Sequence, residues 1–73
     1  MNVEHLITMA NQIGEFFRSY PDTEQAKHDI ALHLKRFWAP SMCKQIVDHV
    51  NENGKGLHPI VENAIKEHSA LFS

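Results

Sequence analysis

RFWAPSM, Arg36 to Met42, sets a Phe, the chain's single Trp and a Met around a proline. Pro40 disfavours helical backbone at Ala39, so the helix that carries Phe37 must end here. The side chains are aromatic and thioether groups beside a charge. That is the chemistry of a core or a docking surface, not of a catalyst. Outward from this point the other punctuation is Pro21, Gly54, Gly56 and Pro59. These residues cut the chain into four helical pieces with very short joints. No alternation of β-branched and polar residues is long enough to predict a strand.

Upstream, the second helix starts after Pro21, with Asp22 as N-cap and Gln25 reaching back to it. Ala26, Ile30, Leu34 and Phe37 form its inner stripe, flanked by Ala31 and Trp38, while Leu32 points away. The first helix is predicted from about Val3 to Tyr20, with Asn2 as its cap. Helical periodicity puts Met9, Phe16, Tyr20, Ile13, Leu6, Phe17, Ala10, Val3 and Ile7 on one side. They cover about half the cylinder, wider than the ~100° stripe a small core needs. Glu4, Thr8, Asn11, Glu15 and Arg18 take the opposite side. Gly14 lies at the apolar edge, either as a tolerated surface glycine or as a point where a second backbone comes close.

Downstream, the third helix is predicted to begin near Ser41 as N-cap. Met42, Ile46 and Val50 mark its face, widened by Cys43 and Val47. Asn53-Gly54 ends it, with Gly54 as the left-handed residue. Pro59 opens the fourth helix, lined on one side by Leu57, Val61, Ala64, Ile65 and Phe72. Short joints force these helices back on one another. The expectation is an all-α fold, a small compact domain of four short helices spanning residues 1–73.

A chain of 73 residues buries only roughly 60% of its unfolded surface. Ordering it costs about 1.5 kcal/mol per residue, so its balance lies near zero. Cys43 is alone, which rules out an internal disulfide and suits a reducing cytosol. A partner is then the simplest support. No run reaches the ~20 apolar residues of a membrane span, and Met1-Asn2-Val3-Glu4-His5 does not begin a signal peptide. The net charge is −2. Lys27, Lys35, Arg36, Lys44, Lys55 and Lys66 are scattered, so neither nucleic acid nor an acidic membrane is the expected partner.

The six histidines, His5, His28, His33, His49, His58 and His68, include no pair three or four apart on one helix face, as metal-binding HExxH has. Cys43 lacks a recognisable base or oxyanion frame and reads as a spectator thiol. Gly54-Lys55-Gly56 lacks the rest of a phosphate loop. The third helix offers Lys44, Gln45, Asp48 and Asn51, too few and too acidic for a DNA-reading face. No catalytic, cofactor or metal residue is assigned. What remains is a surplus of large apolar groups: Phe16, Phe17, Tyr20, Phe37, Trp38, Met42, Leu57, Ile60, Leu71 and Phe72. A domain this small cannot enclose them all. A residual patch is expected around Trp38, with Arg36 or Lys35 at its rim. The residues assigned to partner binding are Arg36, Phe37, Trp38, Pro40, Met42 and Leu57.

MANQIGEFF (Met9–Phe17), HLKRFWAPSM (His33–Met42) and GLHPIVENAI (Gly56–Ile65) resemble the delta subunit of bacterial NAD-dependent, molybdenum-containing formate dehydrogenases. The order, spacing and total length agree across most of the chain, although Ala39 and Ser41 stand where that family often has charged residues. The resemblance implies a non-catalytic accessory subunit of a cytosolic enzyme. The catalytic and other large subunits carry the molybdenum–pterin site, the iron–sulfur clusters, the flavin and the NAD site. It would support assembly, cofactor insertion or quaternary stability by docking an apolar helix face. The alternatives are a small helical regulatory module that binds nucleic acid or another protein, and a histidine-based metal-handling protein. Self-association through the same patch is also open.

Overall fold

The computed structural model describes residues 2–72. Asn2 opens α1 (Val3–Phe17), its Oδ1 accepting from the Glu4 N–H at 2.7 Å. The helix stops short of the Tyr20 predicted as its end, and the Tyr20 N–H closes a turn onto the Phe17 carbonyl. Pro21 is the cause, because it disfavours helix at the residue before it. Asp22 caps α2 (Thr23–Phe37) as predicted, accepting from the Glu24 and Gln25 N–H groups. The Gln25 side chain does not reach back. It donates instead to Asp29, one turn on, at 2.9 Å.

Ser41 is not the cap of the third helix. Pro40 occupies the first position of α3 (Pro40–Glu52), and Ala39 precedes it without any side-chain cap bond. Proline's fixed φ suits a first helical turn, and its missing N–H would have been unpaired there anyway. The far end of α3 follows the sequence: Gly54 adopts φ +66°, and the Asn53 and Gly54 N–H groups converge on the His49 carbonyl. Pro59 opens α4 (Pro59–Glu67), and a single 3-10 turn, Ser69–Phe72, follows it.

Each of the four helices touches the other three. The radius of gyration is 10.8 Å, against about 11 Å for a compact chain of this length. The helices therefore fold fully back on one another. Leu6 and Ala10 of α1, Ile30 and Leu34 of α2, Ile46 of α3 and Val61 and Ala64 of α4 are completely buried.

Gly14 is buried against α4 because a side chain there would run into Val61. The glycine is not on the surface, and what comes close to it is the Val61 side chain and not a second backbone. Two neighbouring aromatics part company at the end of α2. Trp38 leaves the helix in extended conformation (φ −90°, ψ 145°) and turns into the core, 8% exposed. Phe37, expected on the inner stripe, is 71% exposed. It is the last residue of its helix and lies at the edge of the stripe, and the indole fills the core position next to it.

Candidate docking groove

The half-cylinder of apolar residues on α1 is wider than the core can use, and the structure divides it. Leu6, Ala10 and Gly14 face inward. Met9 and Ile13 are half-buried at the edge of the core. Phe16, beyond them, is 69% exposed. On the facing side of α2, His33 and Phe37 lie one turn apart. Between the two helices runs a groove of about 480 Å³, lined by Met9, Gln12, Ile13, Phe16, Phe17, His33 and Trp38.

The rings along this groove form a continuous series. Phe16 meets Phe17 edge-on at 5.0 Å, and Phe17 meets Tyr20 at 5.1 Å. Phe17 also faces His33 at 6.3 Å, and His33 tilts against Phe37 at 4.7 Å. These are ordinary aromatic contact distances. They hold the exposed rings in place, so the face is ordered before anything binds to it. A second hollow of about 250 Å³ shares Phe17 and His33 with the groove and is lined by Arg36, Phe37, Leu32 and Asp29. The Asp29 carboxylate already accepts from Gln25 and contacts His28 Nδ1 at 3.4 Å.

Another hollow, of about 560 Å³, lined by Val3, Glu4, Ile7, Thr8, His49, Lys55 and Gly56, has no aromatic ring in its wall apart from the His49 imidazole. Among the described residues, no three His, Cys, Asp or Glu side chains gather to hold a metal ion. Cys43 is buried and donates weakly to the Leu34 carbonyl at 3.5 Å, and burial pushes its thiol up from the ordinary range. The reactive thiolate is therefore disfavoured. No described helix is long and apolar enough to cross a membrane.

The model of the NADH-dependent formate dehydrogenase delta subunit family, FdsD, matches residues 5–65. The chain belongs to this family. No curated protein and no solved structure matches it.

In this delta-subunit family member the six residues assigned to binding do not form one surface. Arg36 and Phe37 line the adjoining hollow, which shares Phe17 and His33 with the groove. The patch expected around Trp38 needs correction: the indole is the floor of the groove and part of the core. Pro40 is exposed elsewhere, beside a small cavity it shares with Lys35, Cys43 and Phe72. Lys35 therefore belongs to that cavity and not to the groove rim. Met42 and Leu57 are half-buried against the core. Met9, Gln12, Ile13, Phe16, Phe17 and His33, which line the groove, were not in that assignment. The available signal was the excess width of the α1 apolar side.

Proposed function

We propose that the protein is a non-catalytic accessory subunit of a cytoplasmic formate dehydrogenase, and that it docks the α1–α2 face onto a larger subunit of that enzyme. Its role is to support assembly, cofactor insertion or quaternary stability. The supporting observation is the exposure of Phe16 at an apolar groove and of Phe37 in the hollow that adjoins it. Two large aromatics held in water by their own neighbours are poorly placed for a free monomer and well placed for a hot spot. Family membership names the complex, and the groove supplies the means of joining it.

Co-expression with the large subunits, followed by pull-down, tests the reading. Phe16→Ser with Phe37→Ser is expected to lower retention at least about tenfold, on the order of 1.4 kcal/mol. Because both rings are exposed, the urea midpoint of the free chain should move by less than about 0.5 kcal/mol. Undiminished retention by a folded double variant would end the proposal. Comparing retention on cofactor-free and cofactor-loaded enzyme separates an assembly factor from a permanent subunit.

A further inference from the structure

Taking that docking reading as its basis, we infer that the occupant of the α1–α2 groove is a single amphipathic helix of a partner subunit, carrying a carboxylate that pairs with Arg36. Both walls of the groove are helices whose backbone bonds are made internally, so no sheet edge is offered for strand addition. Among the described residues its polar side-chain groups are those of Gln12 and His33 and the indole N–H of Trp38. An extended peptide would bring a backbone amide against the apolar wall at nearly every residue, with almost nothing to bond it. A helix satisfies its own amides and presents only side chains. Met9, Ile13 and Phe16 stand at i, i+4 and i+7 along α1. They form a ridge about 10 Å long, which an opposing helix meets with the same spacing.

The charge on the partner follows from what is already paired. Lys27, Lys44 and Lys66 each have a carboxylate within reach, whereas Arg18, Lys35, Arg36 and Lys55 have none among the described residues; of these four, Arg36 is the one in the hollow adjoining the groove. Asp29, the carboxylate in the same hollow, meets Gln25 and His28 through Oδ1 and makes no ion pair with Arg36. A guanidinium in a hollow adjoining an apolar groove selects a carboxylate at that end of the occupant and so fixes its register.

The test places a photo-crosslinking phenylalanine analogue at Phe16 in the full chain, co-expressed with the formate dehydrogenase large subunits. The crosslinked peptide is expected to be one helical segment with apolar residues at i, i+4 and i+7 and a neighbouring Asp or Glu. Arg36→Glu should cut retention about tenfold with unchanged circular dichroism. Reversing the mapped carboxylate to Lys should restore it. Crosslinks to a loop, a strand or a second copy of the chain overturn the helix assignment while a complex still forms. Full retention by Arg36→Glu overturns the charge pairing. Absence of any complex with the unaltered chain removes both the inference and the docking reading.

Discussion

At position 14, α1 gives up a side chain so that Val61 of α4 can lie against its backbone. Alanine would improve helix propensity by up to about 1 kcal/mol. Its methyl would meet a fully buried, β-branched neighbour with no free rotamer to retreat into. Overpacking of this kind costs about 1–3 kcal/mol, so Gly14→Ala should destabilise the protein on balance. Urea unfolding gives the sign directly, and a more stable variant would contradict the packing described. The sequence left this glycine open between two readings because the deciding atom belongs to a distant helix. The same holds for the pair Phe37-Trp38. Their separation into outside and inside turns on the extended backbone at Trp38, which adjacent aromatic identities do not encode. Trp38→Ala should cost about 3–5 kcal/mol. That is much of the ~4–11 kcal/mol available to a chain of this length, so the cooperative urea transition of the isolated variant, followed by far-ultraviolet dichroism, should be largely lost. Phe37→Ala should leave it intact.

Helix positions were largely readable from Pro, Gly and cap residues, since those residues act through local backbone geometry. What joins the helices was not. Asn11 reads as an outward polar residue of α1, yet its amide clamps the α3–α4 connection. Nδ2 donates to the Gly56 carbonyl at 2.9 Å, and Oδ1 accepts from the His58 N–H at 2.9 Å. His49 secures the same connection from the other side, its Nε2 at 2.7 Å from the Lys55 carbonyl. Because that oxygen accepts, the ring nitrogen carries the proton. No local signal marks Asn11, because its partners are backbone groups made available only by the fold. Asn11→Ala would leave a part-buried N–H unpaired, a loss of about 1–3 kcal/mol. Hydrogen exchange at the His58 amide should accelerate more than exchange within α2. Equal acceleration everywhere would mean the clamp has no local role.

The accessible surface of the chain is 4548 Å², close to the ~4600 Å² expected for a folded monomer of its mass. The domain does not lack compactness. Its departure from an ordinary monomer lies in where its aromatics are placed. Charge also joins α2 to α4: Lys27, nearly buried on α2, holds Glu24 of its own helix and Glu67 at the end of α4, both at 2.8 Å. The Glu24 bond first, then the Glu67 bond, raise the Lys27 pKa above its ordinary 10.5 despite the opposing effect of burial. A lysine whose folded pKa is raised stabilises the fold fully below its unfolded value and loses that contribution as pH rises through the folded one. Lys27→Met cannot show this loss. The melting-temperature difference between native protein and Lys27→Met should therefore be flat through neutral pH and should fall above about pH 10.4. Taking the difference cancels the other lysines, which titrate in both proteins. Glu24 and Glu67 are well exposed, so added salt should also narrow the difference by screening. A difference that grows with alkalinity would show that the ammonium is held less favourably in the fold than in the open chain, and that α2 and α4 are joined here by packing alone.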